Sequence, residues 1–138
     1  MIVFDTNVWS ETVKPEPDAR AMTWIREHAD QAAITSVTVG ELLAGVEVMG
    51  EGRRREGLRT AIEQMVVSAG DRALPYDVAA AAAYARISGD RRRSGRSQAK
   101  PEDAMIAAIA QVRGCAVATR NVRDFDGMGV EIINPWAA

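Results

Sequence analysis

Three carboxylates of this chain occupy positions where surface acids are seldom found. Asp5 directly follows an unbroken apolar run, Ile2 to Phe4, in the opening segment MIVFDTNVWSE. Glu41 shares a predicted helical stripe with small and apolar residues three, four and seven positions away. Asp103 lies in the first turn of an alanine-rich predicted helix and faces the predicted sheet. Taken singly, each has an ordinary explanation: a helix cap, a partly buried acid paired with an arginine, or an acid favoured by a helix N-terminus.

Together the three acids predict a metal site. If they meet in one cleft, their charges repel and at least one carboxyl group stays protonated at neutral pH. A hard divalent cation removes that conflict. Because no Cys or His cluster accompanies the acids, the oxygen ligands favour Mg²⁺ or Mn²⁺ over zinc. A carboxylate-held Mg²⁺ that keeps some of its waters suits phosphodiester hydrolysis, and no G-x-S-x-G segment or Cys–His pair offers a protein nucleophile.

Alternating strand and helix patterns determine where these acids lie. Strands are predicted at Ile2 to Phe4, at Ala32 to Thr35, and in the segments ALPY, CAVAT and VEII, with helical patterns between them. This alternation predicts a parallel sheet covered by helices on both faces, with its site beyond the carboxyl ends of the strands. Asp5 follows the first strand, and Asn121 and Asp124 follow the fourth. Helix ends are predicted from capping residues and a glycine: Asp18, Ser36, Asp77 and Gly114.

Length and composition limit the alternatives. With 138 residues, 47% of them apolar and 26% charged, we expect one globular domain over residues 1–138. The formal net charge of −2 argues against a generally basic nucleic-acid coat protein. The single cysteine excludes an internal disulfide, and no apolar stretch approaches the ~20 residues needed to cross a bilayer. We therefore expect no membrane contact, no signal peptide and a cytoplasmic location.

Five segments in chain order resemble the PIN-domain nucleases: FDTNVWSE, TSVTVGELLAGV, EDAMIAAIA, VATRNVRDF and INPW. More closely, they resemble VapC-like toxins of bacterial type II toxin–antitoxin pairs, in particular the FitB-like branch. The resemblance covers the whole chain. It implies an α/β fold, a PIN-like three-layer α/β/α sandwich with a mainly parallel central sheet of four to five strands.

The resemblance also implies an activity and partners. The activity is Mg²⁺-dependent endoribonuclease cleavage, with Mn²⁺ as a substitute and a metal-activated water as the nucleophile. The implied partners are RNA as substrate, a cognate antitoxin that covers the active site, and a second copy of the chain in a homodimer. DNA would be bound only indirectly, through the antitoxin.

Carried over position by position, the family's first three acids match Asp5, Glu41 and Asp103, which would hold metal and water. The position of its fourth acid holds Asn121, which carries no charge but could orient a water or donate to a phosphate oxygen. Asp124 lies three residues further on. Either it compensates for the missing charge, or it is a turn residue that hydrogen-bonds its own backbone.

Two groups of basic residues remain. The first, Arg53, Arg54, Arg55 and Arg59, is explained by a solvated helix end. The second leads into the helix of Asp103 and could hold RNA phosphates beside the scissile bond: Arg91, Arg92, Arg93, Arg96 and Lys100. Thr6 and Thr119 match small hydroxyl residues that support the site in the family, and we include them among the predicted phosphate contacts. Capping and strand-end roles explain both threonines equally well.

Other classes fit less well. A phosphatase of the haloacid-dehalogenase type needs a second acid two residues after the first, where this chain has Asn7. A receiver domain needs a paired acid near Asp5 and a lysine after the last-but-one strand, and the only lysines are Lys14 and Lys100. A nucleotide-binding glycine loop is also missing. The alternative that stays open is a PIN-like module that binds RNA or its antitoxin but cleaves weakly, because Asn121 replaces an acid.

Overall fold

The computed structural model describes residues 1–96 and 99–138, so Ser97 and Gln98 of the predicted SGRSQAKP loop lie outside the described residues. Within the described part, the strands are β1 (Ile2–Phe4), β2 (Ala32–Thr35), β3 (Ala73–Leu74), β4 (Ala116–Ala118) and β5 (Ile132–Ile133). The helices are α1 (Thr6–Glu11), α2 (Ala19–Glu27), α3 (Ser36–Glu47), α4 (Arg53–Ala69), α5 (Val78–Arg93) and α6 (Pro101–Arg113). The strands pair in parallel in the order β3-β2-β1-β4-β5.

Strand β1 is central and buried on both faces. Val3 packs into one core with residues of α5 and α6. Ile2 and Phe4 point the other way, into a second core with Val8 of α1 and Trp24 of α2. A strand buried on both sides must be apolar throughout, as the opening run is. The predicted three-layer α/β/α sandwich with a parallel sheet is confirmed.

The helix boundaries confirm most of the predicted caps and correct one. Asp18 and Asp77 accept backbone hydrogen bonds as N-caps of α2 and α5, as predicted. The predicted cap at Ser36 is wrong: Thr35 caps α3 by accepting from the Thr38 N–H. Ser36 is instead the first residue of the helix, and its hydroxyl oxygen accepts from the Tyr76 N–H at 2.9 Å. A strand that ends directly at a helix leaves its last residue, and not the next one, in the extended conformation of an N-cap.

The segment after β4 is more ordered than the loop predicted for RNVRDFDGMG. It contains a short 3₁₀ helix, Val122–Phe125, and the buried side chains of Phe125 and Met128 attach it to the core beside α6. Gly114 ends α6 in the left-handed conformation, with φ of 65°, as expected of a C-terminal glycine. In residues 1–96 and 99–138, no helix has the length and apolarity needed to span a membrane.

Candidate active site

The carboxyl ends of the central strands open into a cleft of about 300 Å³. The parallel topology brings the end of β1 beside the end of β4, where the Asp5 N–H donates to the Ala118 carbonyl at 2.9 Å. Helices α3 and α6 add side chains from the two flanks. Six of the residues predicted from sequence line this cleft: Asp5, Thr6, Glu41, Lys100, Asp103 and Asn121.

Asp5 is the most firmly held of the acids. Its Oδ1 accepts from the Thr6 N–H at 2.8 Å, so the residue caps α1 as well as lining the cleft. Its Oδ2 accepts from the Thr119 hydroxyl at 2.7 Å and from the Asn7 amide at 3.0 Å. One carboxylate therefore performs both tasks.

Burial raises the pKa of Asp5 above its usual range, and the negative charge of Asp124 adds to that rise. The hydrogen bonds from Thr119, Thr6 and Asn7 oppose it by stabilising the ionised form. Asp5 is thus a rigid carboxylate whose ionised form is disfavoured by burial.

Glu41 is positioned by a relay of hydroxyl groups. The Thr6 hydroxyl donates to the Glu41 carboxylate at 2.7 Å. Because Thr6 has one hydroxyl proton, the Thr38 hydroxyl at 3.0 Å must donate to Thr6. Burial and the nearby charges of Asp5 and Glu102 raise the pKa of Glu41. Helix α3 thus delivers its acid to the same cleft as β1.

The pKa of Asp103 is strongly affected by its position in the cleft. Burial, followed by the charges of Asp5 and Asp124, raises the pKa of Asp103 to about 6. Lys100, one turn earlier, opposes the rise, and Glu41 adds to it. The repulsion expected from three converging acids is therefore present.

The arrangement fits a cation that needs few protein ligands. Among the described residues, no three His, Cys, Asp or Glu side chains stand close enough together to hold one metal ion. Mg²⁺ does not need three, because it keeps several waters and is commonly held by one or two carboxylates together with substrate phosphates. Burial, with the neighbouring carboxylates, raises the pKa values of Asp5, Glu41 and Asp103, and a bound cation would favour their ionised forms.

Asn121 and Asp124 lie on different sides of the site. Asn121 lines the acidic cleft, and its N–H donates to the Thr119 hydroxyl at 3.0 Å. Asp124 lies in the 3₁₀ helix, where its N–H donates to the Asn121 carbonyl at 3.0 Å, and it lines a neighbouring cleft of about 580 Å³. Its charge nevertheless reaches Asp5 and Asp103, whose pKa values it raises. Asp124 is therefore a residue of the turn whose charge reaches the site, and its compensation for the missing fourth acid stays a prediction.

The second basic group is divided by the fold. Lys100 lines both clefts, and Arg96 lines the larger one while pairing with the Asp126 carboxylate at 2.6 Å. Arg91 is buried and donates to the Asp126 carbonyl, so its predicted contact with an RNA phosphate stays a prediction. Arg92 and Arg93 are exposed on the last turn of α5 and line neither cleft. Their contact with RNA stays a prediction.

Thr119 is not available as a phosphate contact in this structure. It is fully buried, donates to Asp5, and accepts from the Asn121 N–H and, at 3.4 Å, from the Asn7 amide. The structure thus assigns it to supporting Asp5. Thr6, half-buried in the cleft wall, supports Glu41 in the same way.

Several residues that line the cleft were not predicted from the sequence. Asn7 bridges two strand ends, because its amide donates to Asp5 while its carbonyl accepts from the Arg120 N–H at 3.2 Å. Its position two residues after Asp5 on the first helical turn was the available signal. Further lining residues come from the end of α1 and from the two segments that follow β4 and β5: Ser10, Glu11, Lys14, Arg120 and Trp136.

Comparisons with known proteins agree with this geometry. The family model described as PIN domain matches residues 2–130. The chain is 39% identical to the VapC ribonuclease Y4jK of Sinorhizobium fredii, with 99% of this chain and 98% of that protein covered. It is 34% identical to the Toxin FitB of Neisseria gonorrhoeae, with 99% of each covered.

Among solved structures, FitAcB from Neisseria gonorrhoeae superposes on this chain with a TM-score of 0.92 at 33% identity, and all of both chains is covered. Fold, motif order and the converging acids therefore lead to one assignment. The chain belongs to the PIN-domain family, in the VapC-like branch that includes FitB.

Proposed function

We propose that this protein is a metal-dependent endoribonuclease and the toxin of a type II toxin–antitoxin pair, acting as a single domain over residues 1–138. The observation that carries the proposal is the acidic cleft at the carboxyl ends of β1 and β4. There Asp5, Glu41 and Asp103 line one cavity of a PIN fold, where burial raises all three pKa values and the charge of Asp5 raises those of Glu41 and Asp103 further. A relative named as a VapC ribonuclease and another named as a toxin support the activity and the role.

Asp5, Glu41 and Asp103 would supply the carboxylates for the ion, one or two as direct ligands and the others through the ion's waters, with Mg²⁺ preferred for its oxygen ligands and Mn²⁺ as a substitute. When bound, such an ion positions and acidifies a water and offsets the charge that builds on the phosphate oxygens. The chain's own contribution is rigidity. Asp5 is fixed by Thr119 and Asn7, and Glu41 by Thr6, so both carboxylates are oriented before substrate arrives.

Charged and polar groups at the cleft rim would orient the RNA. Lys100 is exposed between the acidic cleft and the larger basic one, where its ammonium group could hold a phosphate beside the scissile bond. The Asn121 side chain could donate to a phosphate oxygen or orient the attacking water. Asp124 would act through its charge on Asp5 and Asp103 and not through direct contact.

The same cleft would bind the inhibitor. An acidic cavity favours insertion of a basic side chain, so a cognate antitoxin that covers this cleft would block the site directly. A homodimer, and DNA binding only through the antitoxin, are further parts of this proposal that follow from the family resemblance. An RNA substrate makes the cytoplasm the place of action.

The test is RNA cleavage by purified, antitoxin-free protein with Mg²⁺, with Mn²⁺ and with a chelator. Asp5→Asn, Glu41→Gln and Asp103→Asn should each remove activity while the proteins stay folded by circular dichroism. Glu47→Gln is the matched control, because Glu47 lies on α3 with Glu41 but faces solvent and pairs with Arg55 and Arg59. Cleavage that continues in chelator, or in all three site variants, would refute the proposal.

A second candidate has an observation in its favour. Asn121 stands where the family has its fourth acid, which favours a module that binds RNA or antitoxin and cleaves weakly. Under that candidate, wild type and the three variants would be equally inactive yet would bind RNA alike. Asn121→Asp would then be the substitution that restores cleavage.

A further inference from the structure

Two residues outside the acidic cluster, Arg120 and Trp136, lie against each other inside the same cleft. Arg120 follows Thr119 at the end of β4, and Trp136 follows β5 in the segment INPW. Because β5 pairs beside β4, with the Thr119 N–H donating to the Ile133 carbonyl at 2.9 Å, both residues reach the edge of the sheet that carries Asp5. The Arg120 guanidinium carbon lies 5.2 Å from the centre of the Trp136 ring.

Both backbones are fixed before any ligand binds. The Arg120 N–H donates to the side-chain carbonyl of Asn7 at 3.2 Å. The Trp136 N–H donates to the side-chain carbonyl of Asn134 at 3.0 Å, and the ring packs against the apolar cluster that contains Phe4. A half-buried indole held in this way is a rigid aromatic surface and not a mobile terminal residue.

The charge of Arg120 is available for a ligand. None of the ion pairs among residues 1–96 and 99–138 includes Arg120. The nearby Glu11 carboxylate is already paired with the Lys14 ammonium at 2.8 Å and accepts from the Asp18 N–H at 2.7 Å. Within the described lining of the cleft, Trp136 is also the only aromatic side chain.

We propose that Arg120 and Trp136 form a stacking platform for one nucleobase of the RNA, next to the phosphodiester that the acids cleave. The inference rests on the proposed nuclease function and adds a base-binding subsite to it. A planar guanidinium and an indole both stack on the π-face of a base, and such stacking tolerates any base while fixing its position. The neighbouring phosphate then lies towards the acids, where the cleft also presents Lys100.

If Trp136 stacks on one base, removing that base and removing the Trp136 ring should have non-additive effects on RNA affinity. In the Asp103→Asn background, binding of a short RNA is measured while single bases are replaced in turn by abasic ribose. When Trp136 is present, abasic replacement at one position should lower RNA affinity about tenfold. The same replacement should leave the RNA affinity of Trp136→Leu almost unchanged. In the active protein, Trp136→Leu and Arg120→Met should each lower kcat/KM by about tenfold, and Trp136→Phe by less than threefold.

Matched controls separate stacking from general damage. Trp9 is also a half-buried tryptophan packed on the Phe4 cluster, but it lines a separate apolar groove, so Trp9→Leu should leave the abasic profile unchanged. Arg26, exposed on α2, is the control for loss of one positive charge. Since Trp136→Leu could unfold the protein, the exposed Arg120→Met and the conservative Trp136→Phe provide independent tests.

The outcomes distinguish this inference from the proposed function. If wild type fails to cleave RNA, the proposed function fails, yet base-specific coupling in the binding assay would still support the platform. If wild type cleaves RNA and the abasic profiles of wild type and Trp136→Leu coincide, the platform is refuted and the nuclease stands. If the substitutions weaken antitoxin inhibition and leave RNA binding unchanged, this surface serves the antitoxin, which also refutes the proposal.

Discussion

Asp5 and Glu11 stand at opposite ends of helix α1, line the same cleft and are equally inaccessible, each 3% exposed. Their pKa values nevertheless move in opposite directions. Burial raises the pKa of Asp5, which has hydrogen-bond donors but no adjacent cation. A hydrogen bond from Lys14, with a second from the Asp18 N–H, lowers the pKa of Glu11. Low exposure alone therefore does not mark a functional acid: Asp5 combines strong desolvation with the lack of a cation beside it among the described residues, whereas Lys14 offsets the weaker desolvation of Glu11.

This contrast separates a structural acid from candidate catalytic ones. Glu11 is satisfied by the chain itself and fixes the turn between α1 and α2. Asp5, Glu41 and Asp103 are left with charge that the chain does not neutralise, which is a cost to folding that a bound cation would remove.

The largest expected effect is on catalysis. Asp5→Asn should lower the rate of RNA cleavage by about 10²–10⁴-fold, because it removes a carboxylate from the reacting centre. Glu11→Gln, in the same cleft and equally buried, should lower the rate per folded molecule by less than about threefold. Single-turnover cleavage measures both. Equal losses of cleavage rate in Asp5→Asn and Glu11→Gln would mean that any acid of low exposure in this cleft contributes to catalysis, whether or not it has a countercharge.

The next largest effect is expected from Thr119, which hydrogen-bonds Asp5. Thr119→Val removes the hydroxyl that donates to Asp5, so the pKa of Asp5 should rise further and cleavage should fall about 10–100-fold at neutral pH. The acidic limb of the pH–rate profile should move to higher pH, and Thr119→Ser should restore both rate and profile. A loss of rate with an unmoved profile would assign Thr119 a packing role only.

The free energy of unfolding should rank the acids in the opposite order from the cleavage rate. Glu11→Gln should lower the free energy of unfolding by about 1–2 kcal/mol, because it removes the charge that pairs with Lys14 and leaves one acceptor oxygen where Lys14 and the Asp18 N–H each had their own. Asp103→Asn should leave stability unchanged or raise it, because repulsion from Asp5 and Asp124 is relieved. Urea unfolding without metal compares the two, and destabilisation by Asp103→Asn would contradict the contrast.

The pH dependence follows from Asp103. Its pKa is about 6 in the folded protein against a usual 3.8, so between these values the folded state binds more protons than the unfolded state. The free energy of unfolding should therefore fall as pH rises through that window, by on the order of 1–3 kcal/mol, and stay low above it. In Asp103→Asn this decline should be smaller, with the remainder due to Asp5 and Glu41, whose pKa values are also raised, and Mg²⁺ should reduce it in wild type.

The smallest expected effect concerns the basic residues. Lys100→Met should weaken RNA binding a few-fold and reduce the salt dependence by about one phosphate contact, because Lys100 lies at the cleft. Arg92→Met, which removes one charge on the exposed end of α5, should change neither quantity measurably. Titrations at several salt concentrations provide the test, and equal slopes for the two variants would show that only net charge matters.

Much of the fold follows from local sequence pattern. The apolar run before Asp5, the alternation of strand and helix signals, the caps at Asp18 and Asp77 and the C-terminal Gly114 all predict their elements correctly. These features are local, since each depends on residues a few positions apart. The convergence of Asp5, Glu41 and Asp103 was also predictable, because parallel strands collect their carboxyl ends at one edge.

Only the tertiary structure decided how each polar side chain is satisfied. Thr119 supports Asp5 from 114 positions away, Arg91 is drawn into the interior by the Asp126 carbonyl, and Arg120 stacks on Trp136 across two strand ends. A pairing of this kind depends on distances that sequence pattern does not encode. The sequence by itself determined which acids reach the cleft, whereas the packing around them decided which stay without a countercharge, because electrostatic environment is set by neighbours in space and not along the chain.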